Sequence, residues 1–322
     1  MRRALVVGID NYPTSPLTGC VADATRITQL LQNHDDGNPN FECRTLLSPP
    51  NYVSRASLHE ALHGLFTQEA DIALFYFSGH GVNVNHQGGF LVTQDAAKWE
   101  LGVSMQEVLN FANDSPIREV VIILDCCDSG AFGQIPSIDR DKVVLREGIS
   151  ILTSSGPSEP SVEEDGRGLF TKLVCDALAG GASDVIGEVN AASVYSYCDQ
   201  ILGAWDQRPR FKANVSCLTE IRFCKPQVEL PVLRLLTRYF PAHDYEYGLD
   251  PTYEPDKRNL PIGSIVSEEN ERILAHLQKY RDARLLVPVG AEHLYYAAVD
   301  SKSCKLTPLG QFYWHLVKTN KI

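Results

Sequence analysis

Residues 119–130 read EVVIILDCCDSG. Val120 to Leu124 form an unbroken apolar, largely β-branched run, the composition of a strand buried on both faces. It ends in an acid, two adjacent cysteines, a second acid and a Ser-Gly pair, so this strand end either stops the sheet untidily or presents a reactive group. Upstream, DIALFYFSGHG at 71–81 is a second near-continuous apolar run, which the spacing predicts to break at Ser-Gly-His-Gly. Outward from these two, ALVVGI (4–9), GFLVT (89–93) and GISILTSS (148–155) read as further strands.

Helical spacing separates them. From Thr18, the positions Val21, Ala24, Ile27, Leu30 and Leu31 form one stripe. SRASLHEALHGLF (54–66) carries Leu58, Leu62, Leu65 and Phe66 on one face, with Ser54 or Ser57 as cap. SMQEVLNFAN (104–113), LFTKLVCDALAGG (169–181) and SVYSYCDQILGAW (193–205) continue the alternation. Continuous apolar strands alternating with helices predict an α/β fold, a mostly parallel sheet covered by helices on both faces. In such sheets the ligand site lies beyond the carboxyl ends of the strands. That rule selects Ser78 to Gly81 and Asp125 to Gly130.

The 322 residues are 44% hydrophobic and 21% charged, ordinary values for a globular chain. The first apolar run is interrupted at Gly8 and Asp10, too short for a signal peptide or a membrane span, so a cytoplasmic protein with no membrane partner is expected. Nine cysteines without a CxxC pair indicate neither a disulfide framework nor a zinc site. Residues 1–227 hold 28 Asp and Glu against 17 Lys and Arg, whereas residues 228–322 hold 12 of each. An acidic N-terminal part suits basic ligands and weighs against a nucleic-acid partner.

Two strand ends therefore offer His80 and the pair Cys126/Cys127 on one sheet edge. An imidazole beside a thiol stabilises the thiolate and later protonates a leaving amine, the chemistry of a His-Cys dyad. YFSGHG (76–81) and DCCDSG (125–130), preceded by VVGIDNYPTSPLTGCVADA (6–24), resemble the caspase-like cysteine peptidases, nearest the metacaspase and bacterial orthocaspase branch. GISILTSS, GLFTKLVCDAL and QRPRFKANV follow in family order, so the likeness covers about two-thirds of the chain.

That resemblance implies the caspase-hemoglobinase fold and a cysteine endopeptidase activity. It makes Cys127 the nucleophile and His80 the general acid/base, with the backbone N–H groups of Gly81 and Cys127 as the oxyanion hole. Cys126 would then pack behind the site. The P1 pocket it implies is acidic, formed by Asp23, Ser78 and Asp125 with Cys20 in its wall. Two carboxylates there suit Arg, and Lys less well. Arg140, Lys142 and Arg146 lie in a loop that family members often cut, and are candidate self-cleavage sites. Asp128 stands where metacaspases usually have His. Calcium activation is common in the family, with Asp95 a candidate remnant of its acid cluster, but the loop after Gly130 lacks an obvious partner acid until Asp139, so a calcium requirement is unsupported and no cofactor is expected. Stress, cell-death or defence signalling is the role the family implies.

The division expected is a peptidase domain at 1–225, a helix and connector at 226–263, and a winged-helix-like unit at 264–322. The last reads as helix, two strands around Gly290, then helix. Its aromatic residues Tyr295, Tyr296, Phe312, Tyr313 and Trp314 are core or interface candidates, with core favoured, and a regulatory protein partner is expected for this unit. Two readings compete with a peptidase: an inactive scaffold, disfavoured by the intact dyad, and a nucleic-acid-binding regulator, disfavoured by charge.

Overall fold

The structure, a computed structural model, describes residues 1–84, 88–98, 100–127, 144–154, 163–164, 167–202, 209–254 and 267–322. The chain forms two compact units, residues 1–183 with 188–225, and residues 184–187 with 226–322.

In the first unit β1 (Arg2–Ile9), α1 (Cys20–Gln32), β2 (Glu42–Ser48), α2 (Arg55–Thr67) and β3 (Ile72–Val84) alternate. Then come β4 (Gly88–Ala97), β5 (Glu100–Ser104), α3 (Met105–Asp114), β6 (Glu119–Cys127) and β7 (Ile149–Thr153). β8 (Glu163–Glu164) and β9 (Arg167–Gly168) pair briefly before α4 (Leu169–Asp176), whose end continues as a wide turn through Gly181. β10 (Glu188–Asn190), α5 (Ala191–Leu202), β11 (Arg210–Asn214) and β12 (Glu220–Phe223) complete the unit. The main sheet runs β11-β7-β6-β3-β1-β2, with β4 and β5 added beside the far end of β3. β2, β1, β3, β6 and β7 are parallel; β11 is antiparallel.

The pleat sorts the apolar run of each strand between two cores. Ala4, Val6, Leu74, Tyr76, Val121 and Ile123 face one side, under α1, α4 and α5. Leu5, Val7, Phe75, Phe77, Ile122 and Leu124 face the other, under α2 and α3. Ser54 caps α2 in a reciprocal arrangement with Ser57, and Ser104 caps α3 with Glu107 in the same way.

Arg146 is tied to this framework. Its guanidinium donates to the carbonyls of Ala112, Ile117, Arg118 and Glu147, and its own N–H donates to Asn113 Oδ1 at 2.9 Å. The last carbonyls of a helix have no partner within it, and a cation suits that end. Arg146, a candidate self-cleavage residue, thus also clamps the end of α3 to the start of β6. Arg146→Ala should lower stability by about 2 kcal/mol and the melting temperature by about 4–8 °C, measured by scanning calorimetry. Arg140 and Lys142 lie outside the described residues.

The second unit contains α6 (Leu230–Leu233), α7 (Leu236–Tyr239), β13 (Tyr247–Gly248), α8 (Glu268–Asp282), β14 (Leu286–Val289), α9 (Leu294–Val299), β15 (Ser303–Leu306) and α10 (Pro308–Lys318). Val228, Leu233, Leu236, Phe240 and Leu249 belong to its core, so the described part of 226–263 is packed structure as well as connection. Of the two strands expected around Gly290, β14 precedes it and pairs antiparallel with β15, but the segment directly after it is not a strand. Gly290, at φ 72°, leads from β14 into a helix, and β15 begins only at Ser303. The reason lies in LYYAAV: Leu294, Ala297 and Ala298 are the buried positions, a helical spacing that the two tyrosines obscure. Tyr313 and Trp314 are core residues, and the Trp314 indole donates to the Phe240 carbonyl at 2.6 Å. Tyr296 and Phe312, by contrast, are half exposed, at 50% and 55%.

Candidate active site

The parallel register of β3 and β6 brings the two motifs together. Ser78 pairs with Asp125, Gly79 with Cys126, and His80 with Cys127. A one-residue slip would send each side chain to the opposite face, so the buried faces of both strands hold this alignment. The structure corrects one expectation: β3 does not break at Ser-Gly-His-Gly but continues to Val84, residues 81–84 pairing with β4.

Continuation is possible because a side chain fills the place of a strand. β1 pairs with β3 only as far as Ser78. Beyond that point Tyr12 Oη accepts the His80 N–H at 3.0 Å and donates to the Val92 carbonyl at 3.1 Å, bridging β3 to β4. Since the His80 N–H points to that edge, the alternation of an extended strand sends the Gly81 N–H to the other edge, where β6 ends. Tyr12 lies within 6–24, yet nothing in its spacing reveals this role.

The glycines of the motif are steric necessities. A Cβ at Gly79 would stand 2.5 Å from Tyr12 Oη, and one at Gly81 would stand 2.8 Å from Cys126 Cβ. Cys126, partly buried, packs into the core beneath α2 and α3, so its side chain is a fixture of the sheet face behind His80.

His80 is 6% exposed and rests against the Tyr12 ring, with centroids 4.6 Å apart. Its Nε2 is 2.6 Å from the carbonyl oxygen of Ser15. A carbonyl can only accept, so Nε2 carries the hydrogen and, in the neutral ring, Nδ1 is the basic nitrogen. Ser15 has φ 59°, a left-handed conformation that non-glycine residues seldom adopt, and in it the carbonyl meets the ring. The local sequence singles out Ser15 no more than it does Tyr12.

The expected pocket residues are all buried: Asp125 and Ser78 at 2%, Cys20 at 3% and Asp23 at 6% exposure. Asp125 Oδ2 accepts from Thr171 Oγ1 at 2.7 Å and from Thr171 N at 3.3 Å, in the first turn of α4. Tyr76 Oη lies 2.6 Å from the same Thr171 Oγ1. The Tyr76 phenol is pushed well above its ordinary range by burial first, and then by the charges of Asp125 and Asp23. Both carboxylates thus act on one neighbourhood, although they come from β6 and α1. Cys198, in the same core, has its thiol pushed up to about 12 by burial, with Asp125 and Asp176 adding to the rise, so it is an inert packing residue. Cys20 opens α1, its N–H bonded to Asp10 Oδ1 at 2.8 Å.

Among the described residues no group of three or more His, Cys, Asp or Glu is arranged to hold a metal ion. Asp95 is engaged elsewhere. Both its oxygens accept the N–H of Arg55, the first residue of α2, and one accepts from Thr93 Oγ1 at 2.6 Å. Asp128 and Asp139 lie outside the described residues. No described helix is long and apolar enough to cross a membrane.

Residues 1–213 match the family described as Caspase domain. Among solved structures, protein GSU0716 from Geobacter sulfurreducens aligns with a TM-score of 0.52 at 16% identity, over 70% of this chain and 99% of that one. Caspase-1 from Spodoptera frugiperda aligns with a TM-score of 0.50 at 13% identity, over 71% of this chain and 92% of that one. At such identities the likeness is one of fold. No curated protein matches the sequence.

Proposed function

The chain belongs to the caspase-domain family of cysteine peptidases, and from that premise we propose that it is an endopeptidase cutting after Arg or Lys with Cys127 as nucleophile and His80 as general acid/base. The observation that carries this reading is the in-register pairing of His80 with Cys127, two residues beyond the buried Asp125 on β6, with Asp23 buried on α1.

The chemistry follows from that arrangement. His80 Nδ1 takes the Cys127 thiol proton while Nε2 stays bonded to Ser15. The thiolate attacks the scissile carbonyl carbon, forming a C–S bond, and the carbonyl oxygen becomes an oxyanion that accepts from the N–H groups of Gly81 and Cys127. His80 then passes its proton to the leaving amine as the C–N bond breaks. Water, deprotonated by the same ring, hydrolyses the thioester and restores the thiol. The substrate's guanidinium is held by Asp23 and Asp125 with the Ser78 hydroxyl, a set without the cation that an acidic P1 residue would need.

Matched fluorogenic peptides differing only at P1 test this. Cleavage is expected in the order Arg, then Lys, with Asp left intact. A preference for Asp would overturn the basic specificity, and no turnover of any peptide would return the chain to the inactive-scaffold reading.

A further inference from the structure

The hydrogen bonds behind Asp125 have a determinate direction. A carboxylate only accepts, so the single hydroxyl hydrogen of Thr171 goes to Asp125 Oδ2. With its hydrogen committed, Thr171 Oγ1 can only accept from Tyr76, so Tyr76 Oη is the donor of that 2.6 Å bond. The chain of donors therefore runs from β3 through α4 to the end of β6.

Tyr76 and Thr171 are fully buried and Asp125 is 2% exposed. The Thr171 N–H reaches the same oxygen. Two donors from one residue, on the first turn of a helix, stop the carboxylate plane from turning about its own bond. The surroundings keep the relay in this state, because burial and the nearby charges of Asp125 and Asp23 hold the Tyr76 phenol in its protonated, donating form.

Resting on the pocket reading proposed above, we infer that Thr171 and Tyr76 are positioning residues that orient Asp125 for bidentate recognition of a P1 guanidinium. The planar fork of Arg requires a carboxylate of fixed orientation, whereas the compact ammonium of Lys tolerates a rotated one. Thr171 and Tyr76 thereby set the preference for Arg over Lys without touching substrate.

Steady-state kinetics with matched Arg-P1 and Lys-P1 peptides test the inference. Thr171→Val, which keeps shape but removes the donor, should raise KM for the Arg peptide about tenfold with kcat retained. KM for the Lys peptide should rise by no more than about twofold. Thr171→Ser should restore wild-type values, since it returns the hydroxyl. Tyr76→Phe, which leaves Thr171 bonded to Asp125 but unaligned, should raise KM for Arg about threefold; it keeps the test open if Thr171→Val does not fold. A fall in kcat with KM unchanged, equal loss on both peptides, or failure of Thr171→Ser to restore KM would overturn the inference, since a role confined to stability produces those results. Asp125→Asn separates the two levels. If it raises KM for Arg while Thr171→Val does not, only the inference falls. If it leaves KM unchanged, the pocket reading and the inference fall together.

Discussion

Replacing Cys127 with alanine is expected to lower kcat/KM on an Arg-P1 peptide by about 10⁴-fold or more, whereas Cys126→Ala should retain activity within about twofold. The two cysteines are neighbours in sequence but not in position: the backbone of residue 127 lies opposite His80 in register, and Cys126 packs against the core beneath α2 and α3. Because nucleophile and base act as one unit, His80→Ala combined with Cys127→Ala should be no worse than Cys127→Ala alone. Measuring the four rates on purified protein of matched circular dichroism is the test. Retained activity in Cys127→Ala, or its loss in Cys126→Ala, would remove the assigned nucleophile.

The second large effect is expected at Asp125. Asp125→Asn keeps an oxygen to accept from Thr171 but removes the charge, so kcat/KM on the Arg peptide should fall by about 10²–10³-fold, the value of a paired, desolvated guanidinium–carboxylate contact. Asp125→Ala should show the same kinetic loss and, in addition, a lower melting temperature, because the first turn of α4 loses its acceptor. Stability and specificity thus separate between two substitutions at one position. Equal kinetics for Asp125→Asn and wild type would reduce Asp125 to a helix cap.

Much of this arrangement is legible in the sequence, for identifiable reasons. Strands β1, β3, β6 and β7 announce themselves because they are buried on both faces and their apolar runs are unbroken. β2, in contrast, pairs on one side only, and ECRTLLS shows mostly exposed or half-exposed positions, so no periodicity marks it. RFKAN, the antiparallel edge strand β11, is hidden for the same reason. His80 and Cys127 stand out through flanking glycines and strand-end positions. Thr171 and Tyr76 do not, because each looks like an ordinary core or helix residue until the tertiary fold joins them. Tyr12 is concealed by a similar cause: no local pattern distinguishes a hydroxyl that stands in for a missing strand. In the second unit, two adjacent tyrosines imitated a strand where Leu294, Ala297 and Ala298 form the buried face of a helix.

The bonds around the candidate site share one property, their reach along the chain. Thr171 and Asp125 are 46 residues apart, Ser15 and His80 65, Tyr12 and His80 68, and Tyr12 and Val92 80. Each closes a long loop, whose entropy must be lost before the contact returns anything. The sheet pairings close loops of similar length, Arg2 with Ile72 and His80 with Cys127 among them, so the candidate site aligns only as the sheet itself forms. A nascent or partly unfolded chain therefore carries the candidate groups without their alignment, so the proposed hydrolysis would belong to the finished domain alone.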